Sequence, residues 1–172
     1  IGIGGIGMSA IAMGLLKKGC SVSGSDLVKN NETNKLKDLG AFIFSSQIEQ
    51  NIKFITSNFN NKLINFVVSS AIKPENEELS YCKKNNLTIR HRSEILAMLM
   101  QSYNAIAVAG SHGKTSTSTF LSTILELCTQ NSSSITGGII PIYDSNCHLE
   151  DTEFLDAEVD ESDGTINKYK YD

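Results

Sequence analysis

Short apolar runs alternate with polar stretches of helical spacing up to about residue 102. The runs predict buried strands, because each is a few apolar or β-branched residues bounded by turn signals. They lie at residues 20–24, 41–44, 63–68 and 87–89, and Ile1 reads as the end of another strand. Between them, helices are predicted at residues 8–18, 30–39, 74–85 and 94–100, the last capped by Ser93. Residues 47–62 are polar, rich in asparagine and left unassigned.

The alternation of strand and helix resumes after residue 102. Residues 104–109 are small and apolar and predict another buried strand, followed by a helix over residues 115–128. Two more strands are predicted at residues 135–140 and 152–159, with an irregular segment at 141–151 between them. A chain of this pattern is α/β, with a parallel doubly wound sheet in residues 1–102 and the first part of a second α/β domain in residues 103–172.

Composition and charge exclude several classes of protein. Hydrophobic residues make up 40% and charged residues 20%, as in ordinary soluble globular proteins. The net charge of −4 argues against non-specific nucleic-acid binding, which needs a basic face. No apolar run approaches the roughly 20 residues that span a bilayer, so no membrane insertion is expected. The four cysteines are widely spaced without a C-x-x-C pair, which favours free thiols in a reducing cytoplasm.

The chain opens with a glycine-rich turn before its first helix. Gly2, Gly4 and Gly7 form the pattern G-x-G-x-x-G, and Asp26 follows about 20 positions beyond them. This arrangement is typical of Rossmann-like domains, where the turn places a diphosphate at the helix N-terminus and the carboxylate accepts ribose hydroxyls. The same glycines also serve domains in which they only let helix and strand pack closely. Taken alone, the motif is compatible with an NAD-dependent oxidoreductase.

A second glycine turn lies between the strand at 104–109 and the helix at 115–128. Gly110 and Gly113 allow the backbone to point its N–H groups at phosphate oxygens, Lys114 adds a charge, and the Thr115 hydroxyl suits Mg²⁺. The turn departs from the longer P-loop pattern, because Val108 stands where that pattern has its first glycine. We favour a phosphate-binding P-loop over an ordinary helix start, with His112 as a candidate phosphate contact only.

Two further groups of residues follow predicted strands. Ser69, Ser70 and Ala71 come directly after the strand at 63–68, at the strand end where open α/β sheets bind ligands, although serines there also serve turns. Glu158, Asp160 and Glu161 end the strand at 152–159. Carboxylates in that place complete the oxygen shell of a phosphate-bound Mg²⁺ when they face the P-loop. The alternative is a solvated acidic turn.

Six segments of the chain, in order and spacing, resemble the Mur ligases: residues 4–9, 23–26, 67–72, 90–94, 110–115 and 158–163. The resemblance covers nearly the whole chain. It implies an ATP-dependent ligase of bacterial peptidoglycan synthesis in the cytoplasm, which forms an acyl phosphate on UDP-N-acetylmuramate and joins it to L-alanine. ATP and Mg²⁺ are the implied cofactors. The diphosphate at the opening turn then belongs to a UDP sugar and not to NAD.

The resemblance also implies roles for individual residues. Lys114 is the implied catalytic residue, and Thr115 and Glu158 are the implied metal ligands, with Asp160 and Glu161 as substitutes for Glu158. The implied ATP-binding residues are Gly110, Ser111, His112, Gly113, Lys114, Thr115 and Ser116. The implied UDP-sugar-binding residues are Gly4, Gly5, Gly7, Met8, Ser9, Asp26, Ser69, Ser70 and Ala71.

Two points separate this chain from the family pattern. Thr136 stands before the glycine pair Gly137 and Gly138, where the family usually has asparagine. The chain ends at Asp172, so we expect an N-terminal portion that does not ligate by itself. A muropeptide-recycling ligase of the same family, an NAD-dependent oxidoreductase and a non-catalytic nucleotide-binding module are the alternatives. Acceptor specificity and oligomeric state stay open.

Overall fold

A computed structural model describes residues 1–59, 63–129 and 131–160. The described residues of the first half form five helices and four short strands: α1 (Ile6–Lys17), β1 (Ser23–Ser25), α2 (Asn31–Asp38), β2 (Phe42–Phe44), α3 (Glu49–Asn58), β3 (Phe66–Val68), α4 (Glu77–Lys84), β4 (Ile89–His91) and α5 (Arg92–Met100). The described part of the second half carries β5 (Asn104–Val108), α6 (Lys114–Thr129), β6 (Ser133–Ile140), β7 (Ser145–His148) and β8 (Phe154–Glu158). None of these helices is long and apolar enough to cross a membrane.

The strands of the first half form two parallel pairs, β1 with β2 and β3 with β4. The opening residues lie between the pairs: the nitrogen of Ile1 donates to the Val67 carbonyl at 2.8 Å, and the amides of Gly2 and Ile3 donate to the Ser25 carbonyl at 2.8 and 3.0 Å. The predicted α/β class with parallel strands is confirmed. The first half holds two strand pairs joined by the opening residues, where one doubly wound sheet was predicted.

As far as residue 160, the strands of the second half form a four-stranded sheet in the order β5-β8-β6-β7. The strands β5, β8 and β6 run parallel, with Val108 opposite Glu158 and Ile135 opposite Ala157. Strand β7 is antiparallel to β6, so the prediction of an irregular segment at residues 141–151 was wrong. The sequence of β7 lacks an apolar alternation, and its pairing depends on the turn that folds it back onto β6.

Helix α1 packs against the sheet of the second half. Ala10 and Ile11 are buried in the same apolar cluster as Ile135 and Leu155. The buried side chain of Asn146 in β7 donates to the carbonyl of Ile6 at 2.7 Å and lies 3.0 Å from the Ser9 hydroxyl. The two halves therefore share one core, which fixes the opening glycine turn relative to β6 and β8.

Several predicted boundaries in the first half were wrong. The strand predicted from residue 63 begins only at Phe66, and Leu63 is 89% exposed, because β3 and β4 pair over three residues. The helix predicted from residue 74 begins at Glu77, since the side chain of Asn76 caps it by accepting from the amide of Leu79. The unassigned residues 47–62 contain α3, whose apolar side is narrow and includes the buried Ile52.

The start of α5 differs from its prediction as well. His91 is the N-cap, not Ser93, and its imidazole accepts from the amide of Ser93 at 3.4 Å. Ser93 is buried, with its hydroxyl 2.8 Å from Nδ1 of His91. Because His91 is both the last residue of β4 and the N-cap of α5, no turn separates the two elements. The sequence therefore contains no turn signal at this boundary.

Strand β5 was predicted to be buried, and that prediction was wrong. Ile106 is 38% exposed, because β5 pairs only with β8 among the described residues. Helix α6 likewise exposes some of its regularly spaced apolar residues: Phe120 is 70% exposed and Leu127 is 79% exposed. The secondary structure of this segment was predictable from local pattern, whereas its burial depends on neighbours distant in sequence.

A buried polar cluster lies between α6 and the sheet. Asp156 in β8 is fully buried, and its carboxylate accepts from the hydroxyls of Ser122 and Ser134, each at 2.9 Å. Burial raises the pKa of Asp156 from 3.8 to about 6, against the opposing effect of the two hydroxyls. The folded chain therefore holds the proton of this carboxyl more tightly than the unfolded chain does.

This pKa shift makes the chain's stability fall as the pH rises from about 4 to about 6, because the folded state binds more protons in that window. Asp156→Asn removes the titration. We expect the free energy of unfolding of the variant, relative to the parent chain, to rise by about 1 to 2 kcal/mol between pH 5 and pH 7.5. Urea unfolding at both pH values measures the difference. A constant difference between the two proteins would contradict the assignment.

Candidate functional site

A cavity of about 900 Å³ lies between the two halves of the chain. Residues from both halves line it, since the packing of α1 on the second sheet brings their strand ends together. The predicted UDP-sugar residues found in its wall are Gly4, Gly5, Gly7, Met8, Asp26, Ser69, Ser70 and Ala71. The second half contributes Ile135, Thr136, Gly137, Glu158 and Asp160. Ser9, also predicted, is fully buried beside Asn146 and is not part of the wall.

The opening turn presents the N-terminus of α1 to this cavity. Gly5 is the N-cap in an extended conformation, and no side chain caps the helix. The first amides of a helix have no partner within it, so the amides that follow Gly5 carry the positive end of the helix dipole. Gly2 has φ +73°, and a Cβ there would lie 2.9 Å from Cδ1 of Ile72. The turn therefore favours glycine at this position for its left-handed conformation, and the side chain of Ile72 packs directly against it.

Asp26 holds the opening turn in place. Its Oδ2 accepts from the amide of Gly4 at 2.8 Å, and its Oδ1 accepts from the amide of Val28 at 2.9 Å. A Cβ on Gly4 would lie 2.9 Å from Oδ2 of Asp26, so glycine is required for this contact. The Gly4 amide is thus directed to Asp26, which leaves the amides beyond Gly5 to face a ligand. Sequence reasoning placed Asp26 near the ribose and did not foresee this bond.

The turn after β3 lies beside the opening turn. The amide of Ile72 donates to the carbonyl of Ser69 at 3.1 Å, which closes residues 69–72 into a turn. The hydroxyl of Ser70 lies 3.3 Å from Nε2 of His91 in the neighbouring strand β4. Ser69, Ser70 and Ala71 therefore stand at the strand end where the sequence placed them, with polar groups at the cavity wall.

The second glycine turn connects β5 to α6 as predicted. Gly113 has φ +78°, a left-handed conformation that favours glycine, and α6 begins at the next residue, Lys114. The ammonium of Lys114 donates to the carbonyl of Gly110 at 2.7 Å, so the lysine folds back over its own loop. Ser111, His112 and Ser116 are exposed around the turn.

Glu158 faces the start of α6. Its Oε2 accepts from the Thr115 hydroxyl at 3.0 Å and from the amide of Gly137 at 2.9 Å. A Cβ on Gly137 would lie 2.8 Å from Oε1 of Glu158, and a Cβ on Gly138 would lie 2.5 Å from Cγ2 of Thr115. Two successive glycines in β6 thus allow a threonine and a glutamate from two other elements to meet. The sequence signal for this contact was the pair of glycines within a predicted strand. No role was assigned to those two glycines from the sequence.

The geometry fits a magnesium-bound phosphate at this point. Thr115 and Glu158 offer one hydroxyl and one carboxylate, and Mg²⁺ takes oxygen ligands, usually one or two carboxylates plus waters and phosphate. Within the described ranges, no three His, Cys, Asp or Glu side chains form a ready-made metal cluster. Asp160, a named substitute for Glu158, is paired with Arg92 at 2.9 Å. Glu161, the other substitute, lies outside the described residues.

Comparison with known sequences identifies close relatives. The chain is 70% identical over all 172 residues to the UDP-N-acetylmuramate–L-alanine ligase of Prochlorococcus marinus subsp. pastoris, and spans 36% of that protein's length. It is 44% identical over 167 residues to the protein of the same name from Dinoroseobacter shibae, covering 97% of the chain and 34% of that protein. The chain therefore spans about a third of the length of the curated relatives it matches.

Comparison with solved structures gives the same fold. The UDP-N-acetylmuramate-alanine ligase of Thermotoga maritima matches 94% of the chain and 36% of its own length, with a TM-score of 0.78 and 26% identity. The UDP-N-acetylmuramate:L-alanyl-gamma-D-glutamyl-meso-diaminopimelate ligase of Neisseria meningitides matches 93% of the chain and 51% of its own length, with a TM-score of 0.82. Its identity of 22% indicates a shared fold alone.

The family assignment follows from the sequence match and agrees with the geometry. The family described as Mur ligase family, catalytic domain, matches residues 1–104, more than half of the chain. That range contains the opening turn, Asp26 and the turn after β3, which line one wall of the cavity. This chain belongs to the Mur ligase family.

Proposed function

We propose that this chain is part of an ATP-dependent ligase that joins L-alanine to UDP-N-acetylmuramate in the bacterial cytoplasm, a step of peptidoglycan synthesis. The observation that carries the proposal is the cavity between the halves, whose wall joins the opening glycine turn to Glu158, the partner of Thr115. The name and 70% identity of the Prochlorococcus relative support the choice of substrates. Residues 1–102 would form the UDP-sugar domain and residues 103–172 the start of the ATP domain.

The first half would hold the UDP sugar. A diphosphate at the start of α1 would receive the amides beyond Gly5, while Asp26 keeps the turn rigid through the amides of Gly4 and Val28. The turn of Ser69, Ser70 and Ala71 would contact the uridine side of the ligand. The muramate carboxylate would then extend toward Gly137 and Glu158 along the same cavity.

The second half would hold ATP. The backbone amides of residues 111–113 and the N-terminus of α6 would receive the phosphates, and Lys114 would leave the Gly110 carbonyl to pair with them. Mg²⁺, when bound, neutralises charge on the transferred phosphoryl group. Thr115 and Glu158 would supply its protein oxygens, held together by the amide of Gly137.

The reaction needs charge stabilisation more than proton transfer by the protein. A muramate carboxylate oxygen would attack the γ-phosphorus of ATP and release ADP, giving an acyl phosphate. The amine of L-alanine would attack that carbonyl and release phosphate, forming the amide. Lys114 would stabilise the negative charge that spreads over the phosphoryl oxygens.

Two alternative functions are each supported by a specific observation. A muropeptide-recycling ligase is supported by the likeness to the Neisseria protein, but at 22% identity that likeness concerns the fold. An NAD-dependent oxidoreductase is supported by Gly2, Gly4, Gly7 and Asp26. An oxidoreductase function gives no role to the pairing of Thr115 with Glu158. In addition, both carboxylate oxygens of Asp26 already accept hydrogen bonds from backbone amides.

Titration of the 172-residue chain with UDP-N-acetylmuramate and, separately, with NADH tests the proposal. We expect saturable binding of the UDP sugar at one site and no saturable binding of NADH. The UDP part of the ligand would bind to residues of the first half, so the result does not depend on the remainder of a longer protein. Saturable binding of NADH alone would overturn the proposal in favour of the oxidoreductase.

A further inference from the structure

Strand β6 leaves both of its neighbours in its second half. Its pairing with β8 runs only as far as Ile135. On the other side, the pairs with β7 are Ile135 with Cys147 and, beyond a shift of register, Ile140 with Ser145. Between these pairs, residues 136–139 of β6 stand opposite one residue of β7, so β6 bulges here. A bulge bends its strand and can redirect the groups that it carries.

Thr136 is the first residue of this bulge. It is 2% exposed, whereas Gly137 beside it is exposed. The Thr136 hydroxyl donates to the carbonyl of Gly138, two residues further along the same strand, at 2.6 Å. A hydroxyl buried to this extent is costly without a partner, and here its partner lies across the bulge. The bond therefore fixes the path of the backbone through Gly137, because it joins the residues on either side.

This path directs the Gly137 amide to a side chain of another strand. The amide donates to Oε2 of Glu158 at 2.9 Å, and the same oxygen accepts from the Thr115 hydroxyl at 3.0 Å. In a regular ladder, strand amides donate to the carbonyls of a paired strand. Since the pairing of β6 with β8 ends before Gly137, its amide reaches the carboxylate at the end of β8 instead.

We propose that Thr136 is a positioning residue for Glu158, because its hydroxyl holds the bulge in the shape that directs the Gly137 amide to the carboxylate. The consequence for metal binding rests on the proposed function, in which Glu158 is a ligand of Mg²⁺. Thr136 acts through Gly137 and not by contact with the nucleotide. The proposal gives a role to the residue that stands where the Mur ligases usually have asparagine.

Thr136→Val tests the proposal, because it removes the hydroxyl and keeps the size and branching of the side chain. Electron paramagnetic resonance measures Mn²⁺ binding to the 172-residue chain in the presence of ATP. We expect Thr136→Val to weaken this binding about 3- to 30-fold, the order of effect that one buried hydrogen bond has on an equilibrium. Thr136→Ser retains the hydroxyl and should stay within about twofold of the parent chain. ATP affinity without divalent metal should stay within about twofold in both variants.

Ser145→Ala is the matched control. Ser145 makes the same kind of bond in β7, where its hydroxyl donates to the carbonyl of Cys147 two residues further on at 2.9 Å, and it does not line the cavity. This variant should bind Mn²⁺ with ATP within about twofold of the parent. Equal losses in Ser145→Ala and Thr136→Val would refute a specific role for Thr136. Unchanged Mn²⁺ affinity in Thr136→Val, or an equal loss in Thr136→Ser, would refute it as well.

Hydrogen exchange at the Gly137 amide, followed by NMR, tests the geometry without metal or nucleotide. We expect exchange about 3- to 30-fold faster in Thr136→Val than in the parent chain or in Thr136→Ser, because the amide is no longer held at Glu158. Unchanged exchange would refute the proposal. If exchange changes as expected but the parent chain binds no Mn²⁺ with ATP, the positioning of Glu158 by Thr136 is supported and the proposed function is refuted.

Discussion

Lys114→Ala should abolish measurable ATP binding to the chain and leave the affinity for UDP-N-acetylmuramate within about twofold. Lys114 supplies the point charge of the second glycine turn, at the start of α6 and over the Gly110 carbonyl. Loss of a charged hydrogen bond to phosphate costs about 1.5 to 3 kcal/mol, and loss of its long-range attraction adds to this. We therefore expect ATP affinity to fall by roughly 100-fold or more. Isothermal titration with each nucleotide measures both effects.

Lys84→Ala is the matched control for this variant. Lys84 is an exposed residue in the last turn of α4, and it does not line the cavity. Its replacement should change neither ligand's affinity. If Lys114→Ala removed UDP-sugar binding together with ATP binding, the assignment of two separate sites would be wrong.

Gly137→Ala should weaken the binding of Mn²⁺, used as a spectroscopic substitute for Mg²⁺, in the presence of ATP by about 10- to 100-fold. The new Cβ would lie 2.8 Å from Oε1 of Glu158, so the carboxylate has to move from its place beside Thr115. The same movement weakens the bond from the Gly137 amide to Oε2. Electron paramagnetic resonance of Mn²⁺ measures the free ion directly and does not require ligase activity.

Gly14→Ala is the control for a glycine substitution at a buried place. A Cβ on Gly14 would lie 3.4 Å from Cδ1 of Leu99, an ordinary contact, and Gly14 is within α1. This variant should fold and bind Mn²⁺ with ATP like the parent chain. An unchanged Mn²⁺ affinity in Gly137→Ala would show that the glycine pair does not position Glu158.

Local chemistry made the two glycine turns predictable. Gly113 has a left-handed conformation, and α6 begins at the next residue. A glycine directly before a helical pattern is a local sequence signal for both features. The strand that ends at Glu158 was equally readable from its apolar run. The expectation that carboxylates at this strand end face the P-loop agrees with the bond between Glu158 and Thr115, whereas the pairing of Glu158 opposite Val108 is known only from the structure.

The remaining features depend on contacts between distant parts of the chain. No pattern within α1 signals that it packs against β6, or that Asn146 reaches the Ser9 hydroxyl. The exposure of Ile106 follows from the sheet order, which a sequence run cannot specify. The place of Arg92 between Gly7 and Asp160 likewise depends on contacts between the two halves, which no local pattern signals.

Simultaneous binding is the most direct test that the two glycine turns hold two different phosphorylated ligands. UDP-N-acetylmuramate is titrated calorimetrically into the 172-residue chain, first alone and then with ATP and Mg²⁺ at saturation. We predict one UDP sugar bound per chain in both titrations, with the nucleotide retained. Displacement of one ligand by the other would show a single shared site and would contradict this account.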